Sequence, residues 1–191
     1  MLHTTLQAAR AGVTCVQLRA PHWNENELVE CARALKNTLS PFGVPLIVND
    51  NARVCIASGA DGLHVGQSDM PASIARKMIG KNRLLGLSVS SIDELERSRG
   101  LPVDYYGVGP VFATSTKKDA APTCGLEALE KIRGLADKPC VAIGGIHKKN
   151  ARAVFATGVD GIAVVSEICG TEDPYLATKA LMASVRLSPT E

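Results

Sequence analysis

Residues 104–118 read Asp-Tyr-Tyr-Gly-Val-Gly-Pro-Val-Phe-Ala-Thr-Ser-Thr-Lys-Lys. The first five residues form a compact apolar run that predicts a buried strand, and the chain then stays polar until a helical pattern begins at Gly125. The strand delivers three hydroxyls and two ammonium groups to its carboxyl end, where parallel α/β folds keep their ligand sites. Such groups suit a phosphate or pyrophosphate, whereas a solvated surface loop is the simpler interpretation of this stretch taken alone.

The composition limits the classes of protein to which the chain can belong. The chain has 191 residues, 46% of them hydrophobic and 21% charged, which suits one domain spanning residues 1–191. A net charge of +2 argues against a nucleic-acid partner, and no apolar run is long enough for a membrane span. The N-terminus lacks the features of a signal peptide, so we expect a cytoplasmic protein. The six cysteines, Cys15 and Cys140 among them, lack metal-binding spacing and are interpreted as reduced core residues.

Short apolar runs alternate with helical patterns along the whole chain. The predicted strands are Val13–Leu18, Pro45–Val48, Gly62–Val65, Leu84–Val89, Tyr105–Val108, Cys140–Ile143 and Gly161–Val165. The predicted helices are Thr4–Arg10, Glu25–Leu39, Asn51–Ala57, Pro71–Met78, Ile92–Arg97, Leu126–Leu135 and Asn150–Thr157. This alternation with short loops predicts parallel β/α units.

The strand count bears on the type of barrel. A TIM (β/α)8 barrel has eight strands, whereas seven are counted here, and the helix Thr4–Arg10 leads directly into the first of them. We therefore expect an α/β fold of the TIM (β/α)8 type that lacks the first strand. Three arrangements are compatible with this count: a partner covers the gap, as in a homodimer; the barrel closes with fewer strands; or the start of the chain is truncated.

Polar residues follow the first three predicted strands. Gln17 and Arg19 lie two apart and so point the same way; if buried, they need either a bound anion or an ion pair with Asp50 or Asp69. Asp50 follows the second strand and Asp69 the third, and two carboxylates beside substrate phosphates suit Mg²⁺. Taken alone, Asp50 is better explained as a helix N-cap, and His64 as a core histidine.

A second group of residues follows the later strands. Ser88 ends the fourth strand, Gly144-Gly145 ends the sixth, and Ser166 follows the seventh. Two glycines let backbone N–H groups approach an anion closely, and the order of these strands matches the usual phosphate site of a TIM barrel. The alternative is a Gly-Gly turn that only sets the path of the backbone.

The two groups predict two anion pockets. One binds a monophosphate at the Gly-Gly turn and Ser166; the other binds pyrophosphate and Mg²⁺ through Arg19, Asp50, Asp69 and Lys117. The chain shows no Ser/His/Asp or Cys/His set and no Gly-x-Gly-x-x-Gly motif. We therefore expect group transfer with pyrophosphate as leaving group, driven by positioning and electrostatics.

Taken together, these segments resemble thiamine-phosphate synthases over nearly the whole chain. The segments that carry the resemblance are Val16–Arg19, Val48–Asp50, Gly62–Asp69, Gly86–Ser88, Gly107–Lys118, Val141–Ile146 and Ala163–Ser166. The resemblance implies a TIM barrel that uses Mg²⁺ and two phosphorylated small molecules. It would join 4-amino-5-hydroxymethyl-2-methylpyrimidine diphosphate to 4-methyl-5-(β-hydroxyethyl)thiazole phosphate, giving thiamine phosphate and pyrophosphate.

The resemblance also implies roles for individual residues. The pyrimidine diphosphate would be held by Gln17, Arg19, Asn49, Ser88 and Lys117. Of these, Arg19, Ser88 and Lys117 would be the catalytic groups. Asp50 and Asp69 would bind Mg²⁺. Thr114, Thr116, Gly145, Val165 and Ser166 would hold the thiazole phosphate.

The chain departs from the family pattern at Pro21. The family pattern is similar to Gln-Leu-Arg-x-Lys, so Pro21 stands where a lysine would contact the diphosphate. Two alternatives remain open: a thiazole tautomerase-like isomerase, and a catalytically silent barrel that binds thiamine phosphates. Asp50, Asp69 and Gly109-Pro110 argue against the isomerase, while Pro21 favours the silent barrel.

Overall fold

The computed structural model describes residues 1–114 and 122–185. The strands in this part of the chain are β1 (Val16–Leu18), β2 (Leu46–Asn49), β3 (Gly62–Val65), β4 (Leu84–Val89), β5 (Tyr105–Val108), β6 (Cys140–Ile143) and β7 (Gly161–Ala163). The helices are α1 (Leu2–Ala11), α2 (Glu25–Leu39), α3 (Ala52–Ser58), α4 (Ala72–Ile79), α5 (Ile92–Ser98), α6 (Gly125–Leu135), α7 (Ala151–Ala156), α8 (Ser166–Cys169) and α9 (Pro174–Val185). The chain forms two compact units, and the single domain spanning residues 1–191 stays a prediction.

The first unit comprises residues 1–87 and 101–104. Its strands pair in parallel and in chain order, with Val48 in register with Leu63 and Leu63 with Leu85. Because helices cover these strands, apolar side chains are buried on successive positions, and Leu46, Ile47 and Leu63 have at most 1% of their surface exposed. Parallel pairing places the carboxyl ends of β1, β2 and β3 at the same edge of this unit.

The second unit comprises residues 88–100 and 105–191. In it β5, β6 and β7 pair in parallel, with Tyr106 in register with Cys140 and Ala142 with Ile162. Tyr106 and the helix α6 residues Leu129 and Ile132 are fully buried, whereas every residue of β7 is only half-buried. The carboxyl ends of these strands again share one edge, which therefore collects the loops that follow them.

An aspartate recurs at the amino end of three strands and ties each neighbouring strand in place. Each carboxylate accepts an N–H from the first or second residue of the preceding strand and also pairs with a cation from a helix. The three sets are Asp61 with Leu46 N–H (2.8 Å) and Lys36, Asp104 with Leu85 N–H (2.7 Å) and Arg76 (2.6 Å), and Asp160 with Cys140 N–H (2.8 Å) and Arg133 (3.1 Å). The strands are thus anchored at the edge opposite to the one that carries the polar loops.

Most predicted element bounds lie within one or two residues of the observed ones, and the larger differences in the strands have local causes. The first strand begins at Val16 instead of Val13, because Gly12 adopts a left-handed conformation (φ 108°) and the N–H of Val13 still bonds to Ala8 of the preceding helix. The last strand ends at Ala163, because Val165 already caps α8. Helix α9 was not predicted at all.

The cysteines only partly match the prediction of reduced core residues. All six are free thiols, and Cys55 and Cys140 are buried, which raises the pKa of each thiol to about 11. Cys15 and Cys169 are exposed, so the prediction of a core position is wrong for them. Among the described residues, no helix combines the length and apolar character needed to cross a membrane.

Candidate active site

Five predicted site residues lie at the carboxyl ends of β1, β2 and β3, in the first unit. They are Gln17, Arg19, Asn49, Asp50 and Asp69. Gln17 and Arg19 are both exposed and flank the buried Leu18, so they do point the same way. The premise that they are buried is wrong, since both residues are exposed at the end of β1. Arg19 forms no ion pair with any described residue, so the internal salt bridge is also not found.

Asp50 occupies an unusual backbone position immediately after β2. Its φ of 62° makes it a non-glycine residue in the left-handed region, and its N–H donates to the carbonyl of His64 at 2.7 Å. The helix that follows is capped by Asn51, whose Oδ1 accepts the N–H of Val54 at 3.0 Å. The alternative that Asp50 is the N-cap is therefore wrong, and a capping role does not explain its carboxylate.

Asp69 closes the turn after β3. Its Oδ2 accepts the N–H of Gly66 at 2.7 Å, while the residue as a whole is exposed. His64, in the same strand, is buried, which lowers the pKa of its imidazole to about 4 against the opposing effect of the Asp69 charge. The interpretation of His64 as a core histidine is thus confirmed.

Two carboxylates are a donor set that fits Mg²⁺ bound together with a diphosphate. Within residues 1–114 and 122–185, no group of three or more His, Cys, Asp or Glu side chains is arranged for a metal. Mg²⁺ is commonly held by one or two carboxylates, with phosphate oxygens and waters completing its shell. Asp50 follows β2 and Asp69 follows β3 at the same edge of this unit, and two carboxylates placed in this way suit that pattern.

The second unit brings three predicted residues to one cavity. Thr114, Gly145 and Ser166 line a space of about 520 Å³ at the carboxyl ends of β5, β6 and β7. The remaining lining residues are Phe112, Ala113, Ile146, His147, Asn150 and Glu167. Val165 adjoins this cavity in the chain and is 47% exposed, and Ser88 is half-buried near the end of β4. Thr116 and Lys117 lie outside the described residues.

Both residues of the Gly-Gly turn lie where a side chain would clash with the loop that follows β5. Gly144 and Gly145 have φ values of 102° and 61°. A Cβ on Gly144 would lie 2.5 Å from the Cβ of Pro110, and one on Gly145 would lie 2.5 Å from the carbonyl oxygen of Ala113. The turn therefore packs directly against the chain that follows β5, and the N–H of Phe112 donates to the carbonyl of Gly144 at 3.0 Å.

The cavity offers hydrogen-bond donors and little charge. The N–H groups of Gly145 and Ile146 and the hydroxyl of Ser166 make no hydrogen bond to any described residue. No Lys or Arg is among the lining residues described, and the one lining carboxylate, that of Glu167, accepts the N–H of Lys148 at 3.0 Å. Neutral N–H and O–H donors that line one cavity are suited to binding a phosphate oxyanion.

Several lining residues were not found from the sequence. His147, Asn150 and Glu167 line the cavity but do not belong to the site that the sequence predicts, although each lies within five residues of Gly145 or Ser166. Asn150 gave the only usable signal, because it stands five residues after Gly145 at the start of a predicted helix. A polar residue at that position is normally explained as a helix cap, which hides any other role.

Comparison with known proteins then decides the family. The family model for thiamine monophosphate synthase matches residues 1–168. The thiamine-phosphate synthase of Albidiferax ferrireducens is 48% identical over 174 residues, which cover 91% of this chain and 80% of that protein. The chain belongs to the thiamine-phosphate synthase family. The resemblance to thiamine-phosphate synthases that the sequence segments carry is thereby confirmed.

Solved structures show the fold of this thiamine-phosphate synthase family member. The thiamine phosphate pyrophosphorylase from Pyrococcus furiosus matches with a TM-score of 0.89 and 38% identity, covering 96% of this chain and 88% of that one. A 3-hexulose-6-phosphate synthase matches with a TM-score of 0.71 at 20% identity, covering 96% and 94% of the two chains, and so bears on the fold alone. The prediction of a TIM-barrel type of fold is confirmed.

Proposed function

We propose that this chain is a thiamine-phosphate synthase that joins the pyrimidine diphosphate to the thiazole phosphate and releases pyrophosphate. The observation that carries the proposal is the family membership, with 48% identity over 91% of the chain to a thiamine-phosphate synthase. The donor-lined cavity at Gly145 and Ser166 supports it, because a monophosphate is the ligand that such donors suit. Transfer with pyrophosphate as leaving group needs no activated nucleophile on the protein.

The reaction balances without a proton transfer. The bond between the methylene carbon of the pyrimidine and the diphosphate oxygen breaks, and its electron pair leaves with pyrophosphate. The thiazole nitrogen then donates its lone pair to that carbon and becomes the thiazolium nitrogen of thiamine phosphate. The protein contributes by holding the two reactants in line and by stabilising charge on the leaving group.

By the family resemblance, we assign the leaving group to Gln17, Arg19, Asn49, Ser88 and Lys117. Arg19 is exposed at the end of β1 and engaged in no ion pair with a described residue, so its guanidinium can bind phosphate oxygens at no cost in broken contacts. Gln17 and Asn49 would orient the same group, and Asp50 and Asp69 would hold Mg²⁺. Charge neutralisation on the departing diphosphate is the chemistry that Mg²⁺ supplies when bound.

We assign the thiazole phosphate to the cavity of the second unit. The N–H of Gly145, the hydroxyl of Ser166 and the neighbouring Thr114 and Val165 would hold the phosphate, with Thr116 as a further hydroxyl. Cytoplasmic location and assembly as a homodimer also belong to the proposal.

The proposal is tested by incubating the purified protein with both phosphorylated substrates, with and without Mg²⁺, and following thiamine phosphate by chromatography. We expect thiamine phosphate only when both substrates and Mg²⁺ are present. Tight binding of thiamine phosphate with no turnover would instead support the catalytically silent barrel that Pro21 favours. Isomerisation of a thiazole carboxylate phosphate without Mg²⁺ would support the tautomerase-like alternative.

A further inference from the structure

Asn150 occupies a helix N-cap position without capping its helix. It precedes α7, yet its side chain makes no hydrogen bond to an N–H of that helix. The chain uses asparagine conventionally elsewhere, because Asn24 caps α2 through the N–H of Glu27 (3.1 Å) and Asn51 caps α3 through the N–H of Val54 (3.0 Å). A missing cap forgoes about 1 kcal/mol of stabilisation, so the side chain of Asn150 serves another contact.

That contact is with the phosphate-binding turn. The Oδ1 of Asn150 accepts the N–H of His147 at 2.8 Å, and its Nδ2 donates to the carbonyl of Gly145 at 3.0 Å. Both ends of the amide are therefore engaged within one loop, and the backbone N–H of Asn150 also bonds to the carbonyl of His147 at 3.0 Å. The amide closes residues 145–150 into a ring that fixes the peptide planes on either side of Ile146.

The orientation of those peptide planes decides where the free donors point. The carbonyl of Gly145 and the N–H of Ile146 belong to one planar trans peptide unit, so a donor that fixes the direction of the carbonyl also fixes the N–H, which points the opposite way. That N–H makes no hydrogen bond with a described residue, and both Gly145 and Ile146 line the cavity. Gly145 in turn abuts Ala113, next to Thr114, so the position of this turn also bears on the loop after β5.

We propose that Asn150 is a positioning residue that presets the peptide between Gly145 and Ile146 for the phosphate of the thiazole substrate. The inference rests on the proposed function, since it names a determinant of affinity within the same cavity. Asn150 does not touch the reacting atoms and acts through the N–H groups of the turn. It therefore affects affinity for the monophosphate substrate and leaves affinity for the diphosphate substrate unchanged.

Two variants separate positioning from helix stability and from charge. Asn150→Asp places at the N-cap position a residue type that favours helix starts but cannot donate to the carbonyl of Gly145, so a loss of affinity in this variant cannot come from a frayed α7. Asn150→Ala adds no negative charge, so a loss in it cannot come from repulsion of the phosphate. In steady-state kinetics we expect both variants to raise KM for the thiazole phosphate about tenfold, with KM for the pyrimidine diphosphate within about twofold of wild type.

The matched control is Asn24→Ala, which removes an asparagine that does cap its helix. It should lower the thermal midpoint while leaving both KM values unchanged. A direct titration with inorganic phosphate should show weaker binding in both Asn150 variants than in the control. Unchanged KM values in both Asn150 variants, beside an active wild type, would overturn the inference alone; a wild type that makes no thiamine phosphate would overturn the proposed function and the inference with it.

Discussion

The substitution Gly145→Ala tests the packing of the phosphate-binding turn against the loop after β5. Gly145 has a φ of 61°, where an L-residue costs about 1–2 kcal/mol. The added Cβ would also lie 2.5 Å from the carbonyl oxygen of Ala113 and 2.8 Å from the Cβ of Phe112. Overlap of this kind costs about 1–3 kcal/mol, because backbone atoms and not a flexible side chain must move. The total expected loss of stability is about 2–5 kcal/mol.

A matched control isolates the overlap from the backbone conformation. Gly43 has a φ of 63°, and a Cβ built there meets no atom within 4 Å. Gly43→Ala should therefore lose only about 1–2 kcal/mol. Each kcal/mol lowers the thermal midpoint of a chain of this size by about 2–4 °C, so we expect Gly145→Ala to melt clearly below Gly43→Ala.

The assay combines thermal unfolding with steady-state kinetics. Gly145→Ala should also raise KM for the thiazole phosphate, because relief of the overlap moves the turn that carries the free N–H groups. Gly43→Ala should leave both KM values unchanged. Equal melting temperatures for the two variants, with wild-type KM values in Gly145→Ala, would refute the close approach of this turn to residues 112–113.

Three further predictions concern stability and metal binding. Burial lowers the pKa of His64 in the folded chain to about 4 from the usual 6.5, so the unfolded chain takes up the proton at a higher pH than the folded chain does. The contribution of His64 to the free energy of unfolding is therefore complete above about pH 6.5. It falls between pH 6.5 and pH 4, by up to about 1.4 kcal/mol per pH unit. Urea denaturation between pH 4 and pH 6.5 should show a weaker pH dependence of the free energy of unfolding in His64→Gln than in the wild type. The same pH dependence in both proteins would contradict the lowered pKa of His64. Asp104→Ala leaves the N–H of Leu85 without its acceptor and should cost about 1–3 kcal/mol, whereas Glu127→Ala, which removes an exposed pair, should leave the melting temperature unchanged. Asp69→Ala should raise the Mg²⁺ concentration needed for half-maximal rate and weaken Mg²⁺ binding in the presence of pyrophosphate, measured by calorimetry; identical titrations would rule out its ligand role.

The fold could be predicted from the sequence because local signals and packing agree along most of the chain. Four strands have the predicted bounds, since each is an apolar run ended by Gly or polar residues. They are Gly62–Val65, Leu84–Val89, Tyr105–Val108 and Cys140–Ile143. Helix α9 escaped prediction because its apolar residues do not form one stripe. Its residues Tyr175 and Leu176 are exposed although apolar, which blurs the periodic pattern.

The site was predictable where residue type alone indicates the chemistry, and not where tertiary context assigns it. The Gly-Gly turn and Ser166 were found from strand ends, and the structure brings both to one cavity. Exposure of Gln17 and Arg19 depends on what covers β1, which no local pattern encodes. Asn51 and not Asp50 caps α3 because the helix begins one residue later than predicted, and sequence patterns do not place a helix end that accurately. The contacts of Asn150 depend on how residues 145–150 fold back on one another, which the sequence does not show.

The most direct test of the proposed reaction is phosphorus NMR of one mixture that contains the protein, both phosphorylated substrates and Mg²⁺. The proposed reaction predicts that the diphosphate signals of the pyrimidine substrate disappear as the signal of free pyrophosphate grows, with one thiamine phosphate formed for each pyrophosphate released. Substrate signals that stay unchanged over many equivalents of protein, or pyrophosphate released without thiamine phosphate, would contradict it.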